Sequence, residues 1–529
     1  MGLTSRYSGP AAITAEGWAV ERVTRPSKLA GANGMKLGAD GRVYVASVAG
    51  SQVTALDVET GEIEIISGKG GPIIGPDDLT FDEAGNLYVT EITEDQVRML
   101  APNGTSRVIQ GDMPVANPIT YHQGRLIAGE LNMQGRILEL DRDGGAPRVI
   151  ASGLPMVNAF DVGPDGKLYF PAQAANEIWR VDLDSGEIEV VAKELGVPDS
   201  VKFHPDGYIV SSQVYSGQVL KIDPRTGEKT VLADIGPGLD CSVFVNGRTF
   251  VSSINGSITE IVAPGVTRPL IEQGLQWPLG IALGEDGTLF VGDGGFAYTV
   301  PAGGEMAFAG CLFTPSFPGW VRGSVASGPG EWIVTTADGD VARWNPAAQE
   351  SEKLSSGYEV LTGVALAGSG AVVFADAGAG KVRVIEGGNV SELAAGLDKP
   401  MGVAVGPDGA VYVAESDAGR VVKLAGGRTE TVLDGLGQPE GIAVRDGKLS
   451  VVDVKAKELV QSDLAGGNRE VVASNLPVGA PMGVTPTTLR GVSGFCGPMW
   501  TFTGIAAGPD GTIYVAGDGE GSVLAVKPA

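Results

Sequence analysis

One phrase recurs along this chain. Met401–Gly427 reads MGVAVGPDGAVYVAESDAGRVVKLAGG, Thr503–Ala529 reads TGIAAGPDGTIYVAGDGEGSVLAVKPA, and Asn158 opens NAFDVGPDGKLYFPAQAANEIWRVDLDSGE. Each copy has an apolar run, a PDG or DG turn, a second run alternating apolar and small residues, a glycine-containing loop and a third run. A weaker fourth run often follows, such as EIEIISG after Gly61. Period-two alternation around a DG turn is the mark of a β-hairpin. Twelve opening turns occur, at Gly41, Gly85, Gly124, Gly166, Gly207, Gly247, Gly287, Gly330, Gly370, Gly409, Gly447 and Gly511. Most successive spacings lie near 40 residues, the period of a four-stranded propeller blade.

Helical alternatives fail, because no segment holds apolar residues at i, i+3 and i+4 over about 12 residues. A parallel β-helix needs shorter rungs. Twelve blades exceed the usual 4–8 of one ring, and 529 residues exceed one ordinary core. The fold class expected is therefore all-β: tandem six-bladed β-propellers with twelve four-stranded blades. Residues 26–265 would form the first ring and 266–529 the second, with the split near Pro264–Gln276. The twelfth unit ends at Ala529 after its third strand. Its missing outer strand is expected from GWAVERVTR, residues 17–25, which would leave no open edge.

Composition narrows the partners. The net charge is −25, so no basic stripe exists to neutralise phosphates, and a nucleic-acid partner is excluded. The same acidity suits cations. Three cysteines, Cys241, Cys311 and Cys496, imply no disulfide framework. No apolar window approaches the ~18 residues of a membrane span, and the start lacks a charged and then apolar leader. The expectation is a cytoplasmic protein acting on a small molecule.

The repeats differ at one slot, the residue seven or eight positions before each turn glycine. In repeats one to six it is Asn33, Asp77, Asn117, Asn158, Asp199 and Asp240; in repeats seven to twelve it is Leu279, Arg322, Thr362, Met401, Glu440 and Thr503. Asn and Asp cap turns through local bonds, yet half of the repeats fold without them. In a propeller this slot opens the innermost strand at the channel mouth. Six oxygen-bearing side chains converging there suit a hard divalent cation, Ca²⁺ first, with Mg²⁺, Mn²⁺ or Zn²⁺ as alternatives; a water-filled polar channel is the other reading. A second set, six residues after the turn glycine, includes Glu91 and Glu130. These are candidate ligands or substrate contacts, or else solvated strand ends.

The GxAxGPDGxxYVAE units, clearest at 402–415 and 504–515, resemble NHL-type repeats and those of virginiamycin B lyase. The first half, with NAFDVGPDGKLYF and DSVKFHPDGYIV, is similar to the gluconolactonase, senescence-marker-protein and luciferin-regenerating-enzyme family. That resemblance implies a metal held at the strand-opening slots, with Asn117, Asn158 and Asp199 as ligands and Asp199 also as general base. Asn33 stands where the family carries Glu, and Asp77 or Asp240 would restore the charge. The lyase resemblance implies a histidine. The two histidines, His122 and His204, both sit in first-to-second-strand turns (YHQGR, FHPDG), on the opposite face. The same placement disfavours a Ser–His–Asp triad and a His-bearing zinc site.

Two insertions break the rhythm: 310–323, GCLFTPSFPGWVRG, and 479–504, GAPMGVTPTTLRGVSGFCGPMWTFTG. Long aromatic loops on a rigid scaffold either bind something or pack as an interface between domains or subunits. Trp320, Arg322 and Trp500 are their candidate substrate contacts, and an oligomer through these loops is a further expectation. The function expected is a metal-dependent hydrolase of a lactone-like ester, with Asp199, Asp240 and Asp77 as catalytic carboxylates. A metal-dependent lyase on the same site and a non-catalytic scaffold using the aromatic loops are the alternatives.

Overall fold

The computed structural model describes residues 5–529. Its regular structure is β throughout, apart from one short 3-10 turn at Gln173–Ala175. The strands form twelve sheets, eleven of four strands and one of five. All twelve opening-turn glycines adopt φ between +66° and +87°, a region glycine enters without a Cβ penalty. Each therefore closes the first hairpin of its blade, which is why the turn motif survives where the strands around it vary. The protein is a tandem pair of six-bladed propellers.

The chain divides into two compact units. One comprises Leu29–Gln273 together with Thr485–Gly494; the other comprises the described residues up to Lys28, Gly274–Val484 and Phe495–Ala529. In the first unit every blade is built from consecutive strands, from Met35–Leu37 through Val266–Ile271. The ring closes where Leu239–Val245 abuts Met35–Leu37, and Ser252 Oγ donates to Asn33 O at 2.8 Å across that seam. The expected boundary at 265 falls inside a hairpin. Pro264–Gly265 is the turn between the third and outer strands of the sixth blade, with Ala263 opposite Val266, so the blade runs on to Ile271.

The second ring closes differently. Trp18–Arg22 lies antiparallel to Ser522–Pro528 as the outer strand of the last blade, Trp18 opposite Pro528 and Arg22 opposite Leu524. Arg22 grips the buried Glu520 carboxylate with two N–H groups, at 2.8 and 2.9 Å, a bidentate geometry. Ile13–Thr14 adds a fifth strand to the preceding blade, Ile13 opposite Ser474; the repeat pattern carries no sign of it.

The inner strands of this second ring share a feature that sets its bore. The residue after each slot is glycine: Gly280, Gly323, Gly363, Gly402, Gly441 and Gly504. A Cβ on any of them would stand closer than 3.0 Å to the carbonyl oxygen of the next blade's slot residue, in cyclic order around the ring. The backbones thus approach more closely than any side chain allows. The axial cavity left has a volume of about 30 Å³ and is lined by four of these glycines (Gly363, Gly402, Gly441 and Gly504) with Ser324 and Phe502 among its other walls; that is room for about one water. In the first ring the same positions are Gly34, Asp78, Pro118, Ala159, Ser200 and Cys241; only Gly34 repeats the close approach, to Asp77 O, and the other five carry side chains.

Two outcomes are expected from this geometry. Gly441→Ala should lower stability by about 1–3 kcal/mol, the usual cost of overpacking, measured by denaturant unfolding. Deleting residues 1–25 strips the outer strand from Ser522–Pro528 and should lower Tm and solubility by exposing a strand edge; unchanged values would show that the edge needs no cover.

Candidate active site

The six slot residues of the first ring are all buried. They pair off. Asn33 Nδ2 donates to Asp240 Oδ2 at 3.0 Å, Asn117 Nδ2 to Asp77 Oδ1 at 3.0 Å, and Asn158 Nδ2 to Asp199 Oδ2 at 3.1 Å. Each pair joins neighbouring blades, so three amide–carboxylate bridges encircle the mouth. Local bonds hold the amides in place: Val48 N donates to Asn33 Oδ1 at 3.1 Å, and Ala159 N to Asn158 Oδ1 at 2.7 Å. Asn117 Oδ1 is different. It is buried and accepts no hydrogen bond, an oxygen held ready for a partner the chain does not supply.

The three carboxylates feel one another. Asp77 and Asp199 are raised well above the ordinary carboxylate range, first by burial and then by the charge of Asp240 and of their other acidic neighbours. Burial pushes Asp240 up to about 7; the Asn33 amide and Lys202 pull it back, and Asp78 opposes them. Around Asp199, Gln173 Nε2 adds a second donor to Oδ2 at 3.2 Å. Both amides thus donate to the same oxygen.

Below this layer sits a second one that the slot pattern does not reveal. Lys202 donates from Nζ to Phe160 O at 3.1 Å. Burial alone would lower its ammonium, but Cys241, Asp78, Asp161 and Asp240 hold it above the ordinary lysine value. Asp78 takes Leu79 N at 2.8 Å and Ile119 N at 3.1 Å; Asp161 takes Phe203 N at 3.0 Å. These two acids tie adjacent blades through backbone donors, and their charge acts on Lys202. The signal was present three residues after each slot. It reads Lys36, Thr80, Thr120, Asp161, Lys202 and Val243 in the first ring, against Ala282, Val325, Ala365, Ala404, Ala443 and Ala506 in the second. Cys241 lies buried beside Asp240, its thiol pushed up to about 12 by burial, which makes it a small core residue and no nucleophile.

Glu91 and Glu130 do not face the mouth as free groups. Glu91 accepts Ile74 N at 2.7 Å, Arg98 Nε at 2.8 Å and the Gln96 amide. Glu130 accepts Arg136 N at 3.1 Å and its guanidinium. The slot six residues after the turn glycine is a recurring clamp on the between-blade connection. Gln213 takes Gly196 N, Asp293 takes Gln276 N and Trp277 N, Glu415 takes Asp398 N, and Asp453 takes Gly437 N and Gln438 N. An acceptor there satisfies backbone N–H groups that would otherwise be buried without partners, which explains why acids recur in both rings.

The second ring's mouth is occupied by its own chain. Arg322 is fully buried, with its guanidinium bonded to the carbonyls of Leu361 and Pro498; burial lowers it to about 10. It anchors the insertion instead of facing open space. Trp320 is buried edge-on against Trp277 at 5.9 Å. Phe502 packs into a core of Val360, Ala377 and Met401, with Trp500 against it and Lys399 Nζ 5.6 Å from the Trp500 ring. Phe317 packs on Trp344 at 5.2 Å, and Phe313 meets Phe495 at 6.3 Å. The aromatics of both loops therefore serve internal packing. Glu440, pushed up to about 7 by burial, accepts Thr503 N at 2.6 Å. His204 accepts Asp206 N at 3.1 Å within its turn and stacks on Tyr208.

Residues 28–248 match the family model described as the SMP-30/gluconolactonase/LRE-like region. This match takes in all six slot residues and the layer beneath them. Among solved structures, a streptogramin B lyase is similar at 20% identity, covering 52% of this chain and 94% of that one, with a TM-score of 0.39. Virginiamycin B lyase from Staphylococcus aureus is similar at 16% identity, covering 52% and 95%, with a TM-score of 0.38. A nidogen/laminin complex chain is similar at 16% identity, covering 39% and 80%, with a TM-score of 0.35. No curated protein matches the chain significantly.

The raised carboxylates carry a pH signature. A buried acid whose folded pKa lies above its unfolded value binds its proton more tightly when folded. Its contribution is complete below the free aspartate value of 3.8 and is lost as pH rises toward about 7 for Asp240. In chelator-treated protein, urea stability should therefore fall between about pH 4 and 7, by up to about 1.4 kcal/mol per pH unit for one group. Asp240→Asn, which keeps an acceptor for Asn33, should flatten that slope.

Proposed function

We propose that the mouth of the first ring hydrolyses a lactone-like ester with the help of a divalent cation. The observation that carries this reading is the circle of three amide–carboxylate bridges, which lies within the stretch matching the gluconolactonase-like family. Among the described residues no group of three or more His, Cys, Asp or Glu side chains stands close enough to hold an ion. A cation here therefore needs amide oxygens beside carboxylate, and the unsatisfied Asn117 Oδ1 fits that demand. Asn117, Asn158 and Asp199 are the ligands of this reading, and Ca²⁺ is the ion that mixed amide and carboxylate donors suit best.

When bound, the cation would supply Lewis-acid polarisation of the ester carbonyl and acidify the attacking water. The chain's own residues do the rest. Asp199 accepts the water proton at Oδ1 while Asn158 and Gln173 hold Oδ2 and fix the carboxyl plane. Asp77 and Asp240 set the local field that keeps a proton in the cluster, and one of them returns it to the leaving alkoxide oxygen.

Elemental analysis of purified protein should find a stoichiometric divalent ion, and chelation should stop acid release from gluconolactone in a pH-stat. Asp199→Asn should cut kcat by about 10²–10⁴-fold. Glu440→Gln, in the second ring, should leave turnover unchanged. A fully active, metal-free Asp199→Asn protein would falsify the reading.

A further inference from the structure

The unit that carries the amide–carboxylate circle includes a segment from far along the chain, Thr485–Gly494. Its sequence is TPTTLRGVSG, with Arg490 as its single charged residue. Leu489 and Val492 are buried on either side of Arg490, which is itself exposed. Two apolar anchors thus fix the backbone, and one guanidinium is held out between them.

The place where it is held follows from its contact. Arg490 Nε lies 3.3 Å from Glu94 Oε2. Glu94 belongs to the turn that follows Glu91, and this turn is stitched to the mouth on both sides. Glu91 accepts Ile74 N, three residues before Asp77, and Asp95 Oδ1 accepts Val115 N at 2.8 Å, two residues before Asn117. The turn is therefore tied to the two connections that lead into Asp77 and Asn117. Glu94 Oε1 is buried and has no hydrogen-bond partner, so a second polar group at the rim awaits a ligand.

We infer that Thr485–Gly494 is a substrate-selecting strap on the first ring, and that Arg490 binds a carboxylate carried by the substrate away from its scissile ester. This rests on the hydrolase reading for the identity of the reacting group. The chemistry that selects the ligand is the guanidinium fork. Its Nε edge is turned to Glu94, and its outer N–H pair matches the two oxygens of a carboxylate. The mouth beneath is strongly acidic, so an anionic substituent is tolerated only at the rim, where this cation stands. Glu94 Oε1 adds an acceptor for a neighbouring hydroxyl. The favoured class is a sugar-acid lactone that keeps a free carboxylate.

The test compares full-length wild type with Arg490→Ala, a change at an exposed side chain, with Tm measured as a control for folding. Glucarolactone carries a free carboxylate and gluconolactone does not. In the variant, kcat/KM for glucarolactone should fall about tenfold or more, the worth of one charge-assisted pair, while gluconolactone stays within about twofold. Arg490→Lys should recover part of the loss. Equal loss on both lactones, or loss on neither, overturns the strap. A titration followed by calorimetry keeps the two readings apart. If wild type hydrolyses neither lactone, the hydrolase reading falls, and glucuronate against glucose then decides the strap. Tighter binding of glucuronate that Arg490→Ala abolishes supports it; equal binding of the two sugars overturns it.

Discussion

Everything in this protein depends on how inner strands meet around a ring axis. Each blade presents its slot residue and the residue after it to its neighbour, and six such contacts must close a circle. In the second ring the contact is backbone on backbone, glycine against carbonyl, repeated six times. In the first it is carried by side chains, Asn amide to Asp carboxylate, repeated three times. Both solutions satisfy the same closure. They differ in what they leave at the centre.

Glycine contacts draw the blades inward until the bore is nearly closed, and the insertion seals the mouth above it with Phe502 and the Pro498 carbonyl held by Arg322. Side-chain contacts hold the blades apart and line the opening with polar groups that water cannot fully solvate. Three acids share that space with one lysine below, and their protons become hard to remove. This is the electrostatic state in which carboxylates bind cations or shuttle protons. The second ring spends its inner positions on backbone packing, whereas the first presents chemistry-bearing side chains there and so holds the candidate reaction centre.

Charge alone does not mark the centre. Glu91 and Glu130 carry the same carboxylate as Asp199 yet are consumed by backbone and arginine donors. Arg322 and Trp320 lie on an aromatic insertion, where binding loops are often found, yet both are spent on anchoring it. What separates Asp199 from these is the identity of its donors. Two side-chain amides from the preceding blade, those of Asn158 and Gln173, hold one oxygen, whereas backbone N–H groups, guanidinium groups and the Gln96 amide occupy both oxygens of Glu91 and Glu130.

The repeat length, the DG turns and the period-two runs determined the all-β architecture and its twelve blades, because hairpin closure is a local event decided by glycine at positive φ. The Asx slots were also legible, since they recur at one register. Lys202 and Asp161 were written at an equally regular register three residues on, and the glycine circle at the very next residue, but local rules do not say which register faces an axis. Only the tertiary structure decided the Asn33–Asp240 pairing across the ring seam, the addition of Ile13–Thr14 to a blade near the other end of the chain, and the assignment of Thr485–Gly494 to the first unit. Each of these joins residues hundreds of positions apart, and such contacts exist only once the ring has closed and fixed which side chains face each other across it.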